Sequence, residues 1–115
     1  MNNPAEARPT VFITEGRSLD FSPATVYGEI KVLELGRPVP FTEGLPNHMA
    51  VNANLVHKIR KELADYIPGH DLICPTGAPT TMVAVGIVLG SIKGRHRVLG
   101  WDNHARRYLE YVVEA

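Results

Sequence analysis

Short apolar runs alternate along the chain with two longer segments, and this pattern predicts strands separated by helices. The runs are bounded by turn-forming residues and several are rich in β-branched side chains, which is typical of strands. Five runs fit this description: residues 11–13, 25–35, 71–74, 96–101 and 107–113. Residues 102–105 separate the last two as a turn and so predict a closing hairpin.

The clearest helical pattern covers about residues 50–67. Leucine and isoleucine recur there every four residues, at positions 55, 59, 63 and 67. Charged side chains occupy the opposite face, and Pro68 with Gly69 ends the pattern. The segment therefore predicts an amphipathic helix that covers a sheet.

The second long segment, residues 80–92, is apolar almost all round, so periodicity alone does not separate helix from strand. Pro79 suits the first position of a helix, and Gly94 suits the residue that follows the last turn. A crossover between parallel strands is usually helical as well. We therefore expect a helix, with Gly86 and Gly90 on one face where a partner can approach closely.

The order strand, strand, helix, strand, helix, strand, strand predicts an α/β domain with a partly parallel central sheet and helices packed on it. Residues 1–9 contain two prolines and no periodicity, which predicts a flexible N-terminus. Residues 10–115 are expected to form one domain, since their number is typical of a single domain.

Composition narrows the function classes. The formal net charge is zero and 44% of the residues are hydrophobic, which argues against disorder. No apolar run reaches 18 residues, so we expect no membrane span, and the single Cys74 indicates a reducing, cytoplasmic compartment without a cysteine-rich metal site. Residues 93–107 hold five bases against one acid, and such a local patch in a neutral protein favours a small anionic ligand over duplex nucleic acid, unless these are ordinary solvated charges.

The candidate site is the loop between the third strand and the second helix. Ligands of open α/β sheets bind beyond the carboxyl ends of strands, at helix N-termini. Thr76, Thr80 and Thr81 would add hydroxyl donors to the free amides there, and Gly77 would let the backbone approach a phosphate. The alternative is an ordinary strand-to-helix turn in which the threonines only cap the helix.

The stretch from Thr76 to Ala84 resembles the signature of CRISPR-associated Rossmann-fold sensors, in which a strand ends in Thr-Gly-Gly-Thr-Lys before an apolar helix. It shares the Thr-Gly pair, a later threonine and Met82, but has Ala78 for the second glycine and no lysine. The resemblance implies a Rossmann-like dimer that binds cyclic oligoadenylates, the messengers of type III CRISPR defence. Small members of this type are ring nucleases that cleave the messenger without a metal or cofactor.

The resemblance also implies the roles of individual residues. Two groups are expected: Thr80, Thr81, Ser18 and His48 in catalysis, and Thr14, Arg17, Thr76, Gly77 and Ala78 in ligand binding. Two alternatives stay open: a nucleotide-binding sensor that does not cut its ligand, and a structural or adaptor domain without a ligand in this loop.

The histidines show no metal-binding spacing, and each is expected at the surface or in a cap. Trp101, Tyr108 and Tyr111 could stack adenines, or pack the core or a dimer interface. The apolar run 82–92 is hard to cover in a monomer of this size, so we expect a two-fold dimer with the second helix or the hairpin near its interface.

Overall fold

The computed structural model describes residues 7–16, 20–40 and 47–115. Its elements are strands β1 (Thr10–Ile13), β2 (Glu29–Val32), β3 (Leu72–Cys74), β4 (Arg95–Asp102) and β5 (Arg107–Glu114), and helices α1 (His48–Glu62) and α2 (Pro79–Gly90). A short 3-10 helix, Ser22–Val26, precedes β2. The predicted order of strands and helices is confirmed, including the helical state of the apolar segment.

All five strands form one sheet in the order β2-β1-β3-β4-β5. The pairs β1–β2, β1–β3 and β3–β4 are parallel, whereas β4 and β5 pair antiparallel as the predicted hairpin. From β1 the chain therefore continues to β2 on one side of β1, and then crosses over to β3 on the other side of β1. This arrangement makes the carboxyl ends of β1 and β3 neighbours.

The sheet has two differently covered faces. Both helices pack on one face, where α1 contributes Leu55 and Ile59 and α2 contributes Val85 and Val88 to a core that includes Phe12 and Ile73. The opposite face is covered by the 3-10 helix through Ala24. Its buried members are Val11, Ile13, Leu72, Cys74, Leu99 and Tyr108. Successive residues of β1 and β3 alternate between the two faces, as the pleat of a strand requires.

The second predicted strand is too long. Residues 25–35 were expected as one strand, but only Glu29–Val32 is a strand, and the 3-10 helix takes the preceding segment. The backbone of Gly28 lies against that of Pro9, since a Cβ at position 28 would be only 2.2 Å from the carbonyl oxygen of Pro9. Leu33 is buried although it follows the strand, so its apolar character reflects packing and not strand structure.

The first helix ends at Glu62, earlier than predicted, and turns carry the chain to Tyr66. The Tyr66 hydroxyl lies 2.6 Å from Nδ1 of His96, whose Nε2 lies 2.8 Å from the carbonyl oxygen of Ile92. Since a carbonyl only accepts, Nε2 donates to it and Nδ1 accepts the tyrosine proton. His96 is buried, so the expectation of a surface position is wrong for this histidine.

Within the described ranges, no helix is long and apolar enough to span a bilayer.

Candidate functional site

The loops that follow β1 and β3 meet at the carboxyl edge of the sheet, as the sequence predicts. Thr14 Oγ1 donates to Thr76 O at 2.7 Å and accepts from Thr76 N at 2.7 Å. Thr76 Oγ1 in turn donates to Glu15 O at 2.7 Å and accepts from Glu15 N at 3.1 Å. The two threonine hydroxyls therefore tie the loops to each other, and each hydroxyl donates its proton within the protein, so neither has a donor left for a phosphate.

Position 77 requires a glycine for two reasons, its backbone conformation and the close approach of Glu15. Its φ is +103°, a conformation that side chains disfavour. A Cβ at this position would lie 1.7 Å from Oε2 and 2.8 Å from Cβ of Glu15. The side chain of Glu15 therefore occupies the space that the sequence assigned to a phosphate, and its carboxylate would repel an anion there.

The threonines of α2 lie in different surroundings. Thr80 is exposed, whereas Thr81 is buried and its hydroxyl donates to the carbonyl oxygen of Gly36 at 3.0 Å. Pro79 occupies the start of the helix, and Ala78 is the N-cap without a side-chain cap bond. The structure therefore assigns Thr81 to the contact with the segment after β2.

The remaining predicted site residues belong to other segments of the chain. His48 opens α1, on the connection from β2. Arg17 and Ser18 lie outside the described residues. The basic stretch is also partly neutralised, because Arg97 pairs with Glu110 at 2.8 Å and Arg95 lies 3.9 Å from Glu114. Among described residues, no group of three or more His, Cys, Asp or Glu side chains could hold a metal ion.

A cavity of about 320 Å³ opens beside the β3 loop, on the face that carries the 3-10 helix. It is lined by Asp20, Cys74, Pro75, Thr76, Leu99, Trp101 and Tyr108. The rings of Trp101 and Tyr108 meet edge to face with centroids 5.2 Å apart. Tyr108 is buried in the core, whereas Trp101 is half exposed. Sequence reasoning left both roles open for these aromatic residues but did not identify Asp20.

The thiol and the phenol of this cavity stay neutral at ordinary pH. Burial raises the pKa of the Cys74 thiol, and it raises the pKa of Tyr108 to about 12. Asp20 is the charged group of the lining. Its hydrogen bonds with the backbone and side chain of Ser22 lower its pKa, so it is ionised.

The free edge of β5 is a second feature at the surface. Tyr111, Val112 and Val113 are exposed by 53%, 58% and 56%. The ladder with β4 runs without interruption from Arg107 to Glu114, so no bulge distorts this edge. The Tyr111 ring leans over Gly100 of β4, where a Cβ would lie 3.2 Å from the ring, and so points away from the free edge.

The exposed face of α2 adjoins the same hairpin. Val83 and Ile87 of this face are 64% and 60% exposed. Gly86 and Gly90 have open space where a Cβ would lie, and they line a shallow groove with Val98 and Val113. The expectation that one apolar side of this helix stays uncovered within a single chain is confirmed.

Fold and site together define an α/β domain with a mixed five-stranded sheet, two helices on one face and an apolar cavity at the carboxyl edge. Residues 9–115 match the family model of the phage Pam3 gp32-like protein, and the chain belongs to this family. Comparison with curated proteins and with solved structures gave no significant match.

This family match contradicts the hypothesis of a CRISPR-associated protein. The assignment to CRISPR-associated Rossmann-fold sensors is wrong, and with it the function of binding and cleaving cyclic oligoadenylates as a ring nuclease. The resemblance rested on a short Thr-Gly motif, whereas the family match extends over nearly the whole chain. The geometry of the loop gives the physical reason, since Glu15 fills the place of the expected phosphate.

Proposed function

We propose that the chain is a self-associating module of a phage, in which two copies pair antiparallel through the free edges of β5. The observation that carries the proposal is this long edge, which has no proline or bulge and exposes the three apolar residues 111–113 in a row. Most edge strands are blunted by charges, prolines, bulges or short length, because unpaired backbone groups recruit other strands. The opposite edge of the sheet illustrates this, since β2 has only four residues and the Lys31 ammonium reaches the carbonyl of Glu62 at 3.4 Å.

The hydrogen-bond pattern of β5 supports an open edge. Ala115 N donates to Gly94 O at 2.8 Å, and Gly94 N donates back at 3.5 Å, which marks this pair as a hydrogen-bonded one. Because bonded and non-bonded pairs alternate, the backbone groups of residues 110, 112 and 114 point away from β4. The Tyr27 hydroxyl donates to Tyr108 O at 3.1 Å from outside the ladder, which agrees with this assignment.

Charge selects one register for two identical strands. A two-fold axis through Val112 would place Glu110 opposite Glu114 of the second copy, and like charges opposite each other are unfavourable. An axis through Tyr111 places Glu110 opposite Val112 and Leu109 opposite Val113. Glu110 is already neutralised by Arg97 on its own chain. We therefore propose pairing about Tyr111, an isologous interface of the kind usual in homodimers.

Proline at position 112 tests the proposal. The N–H of Val112 points away from β4, so Val112→Pro removes no bond of the hairpin. It removes the bonds that this N–H makes to the second copy in both directions, about 1–3 kcal/mol in total, or a 5- to 150-fold weaker dimer. Val112→Thr keeps the N–H and a β-branched side chain and is the matched control.

The measurement is sedimentation equilibrium of the full chain at micromolar concentration, with circular dichroism to compare the folds. We expect dimers for the wild type and Val112→Thr, and a shift toward monomer for Val112→Pro. A wild type that is monomeric throughout, or a proline variant that dimerises as well as the threonine variant, would overturn the proposal.

The Rossmann-like class is also kept as a proposal. One observation supports it: the chain reverses direction across the sheet at β1, which makes the carboxyl ends of β1 and β3 a topological switch point.

A further inference from the structure

We propose that the cavity beside the β3 loop binds an organic cation with an apolar stem, such as an alkylguanidinium or alkylammonium group. The inference concerns a site away from the exposed stretch of the β5 edge and does not depend on dimerisation. The cavity volume of about 320 Å³ suits a group of the size of one long side chain.

The cavity wall holds several neutral polar groups and, among the described residues, one charged group. The Thr76 hydroxyl is bonded to both backbone groups of Glu15. The Tyr108 hydroxyl and the Cys74 thiol are uncharged, because burial raises the pKa of both groups. The hydrogen bonds of Asp20 with Ser22 both end on Oδ1. The other carboxylate oxygen is therefore the charged acceptor on the described wall that can receive a ligand's donor.

The remaining wall favours a positive ligand over a neutral one. Leu99 and Pro75 offer apolar surface for the stem. The half-exposed Trp101 lies beside Tyr108, and aromatic rings attract cations through their electron-rich faces. Asp20 is the charged group among the described lining residues, and its carboxylate attracts a cation and repels an anion. The ligand sign is thus opposite to the one that the sequence suggested for the neighbouring loop.

Trp101 provides the measurement, because it is the single tryptophan of the chain and lines the cavity. Its fluorescence is followed during titration with n-butylguanidinium, with the neutral n-butylurea of similar shape, and with butyrate. We expect saturable binding of the cation, at least about tenfold weaker binding of the urea, and none of butyrate, since hydrogen bonds to a charged partner carry about this discrimination. A short capped peptide with one arginine forms a further arm, which distinguishes a free cation from a side chain of another protein.

The substitution Asp20→Asn tests the contribution of the negative charge to binding. The amide oxygen still accepts from Ser22, so the 3-10 helix keeps its N-terminal contact, and affinity for n-butylguanidinium should fall about tenfold or more. Asp65→Asn removes the same charge from an exposed position after α1 and should leave affinity unchanged. Saturable binding of the peptide alone would assign the site to a partner's side chain and support the proposal. Equal binding of cation and urea by the wild type, no binding of either cationic probe, or equal losses in the two variants would overturn it.

Discussion

Cysteine at position 111 tests the register of the proposed dimer. With the two-fold axis at Tyr111, the two copies of this residue face each other as a non-hydrogen-bonded pair with Cα atoms about 4.5 Å apart. Disulfides form when Cα atoms lie about 4.4–6.8 Å apart. Tyr111→Cys should therefore give a covalent dimer under mild oxidation, seen on a non-reducing gel and by mass spectrometry. The native Cys74 is buried and should not contribute.

The separation of the two introduced cysteines distinguishes the proposed register from the alternative one. An axis at Val112 shifts the strands by two residues, or about 7 Å along the strand, and so carries the two cysteines beyond disulfide range. Val113→Cys is the matched control, since its position is equally exposed but faces Leu109 of the second copy. It should not cross-link alone, whereas the double variant Leu109→Cys/Val113→Cys should. Efficient cross-linking of Val113→Cys, or none of Tyr111→Cys in a sample that sediments as a dimer, would refute the register.

Two predictions concern the folded state. Asp71 is 4% exposed and accepts hydrogen bonds from two backbone N–H groups at 2.9 and 2.8 Å. Asp71→Asn leaves one of these N–H groups facing an amide donor, so it should lower the free energy of unfolding by about 1.5–3 kcal/mol in urea titrations. An unchanged midpoint would contradict this. Burial raises the pKa of both Tyr66 and Tyr108 to about 12, so the folded state holds these protons longer than the unfolded state. Their contribution to stability should be complete below about pH 10 and disappear as the pH rises through about 12, and urea midpoints that stay constant over this range would refute it.

The sequence predicted most of the fold because periodicity and turn residues agree with tertiary packing there. The spacing of Leu55 and Ile59 matches the face that α1 buries, and Pro79 marks the first residue of α2. The prediction from sequence was wrong where buried residues lie outside a strand. Leu33 and Leu35 are apolar because they enter the core from a connecting segment, and a single sequence carries no signal that distinguishes this from a strand.

The candidate site was predictable only in its position. A parallel sheet brings the loops after β1 and β3 together, and Thr14 and Thr76, both expected in the ligand site, lie within hydrogen-bond distance of each other. Whether a hydroxyl faces a ligand or another backbone group depends on the orientation of both loops, which the sequence pattern does not encode. The cavity depends on residues from four separate segments, among them Asp20 and Trp101, and no local spacing connects these.

The loop with Gly77 shows why a short Thr-Gly motif is weak evidence for an anion site. A glycine with positive φ permits the close approach of any group, and the approaching group decides the chemistry. Here Glu15 from the neighbouring loop makes that approach, and the Thr14–Thr76 bonds hold its backbone in place. The loop thus holds a carboxylate, which lies 3.9 Å from the guanidinium of Arg37, at the position where a phosphate site needs unsatisfied donors. The same carboxyl edge, with Asp20 a short distance along the chain, is consequently better suited to a cationic ligand than to a nucleotide.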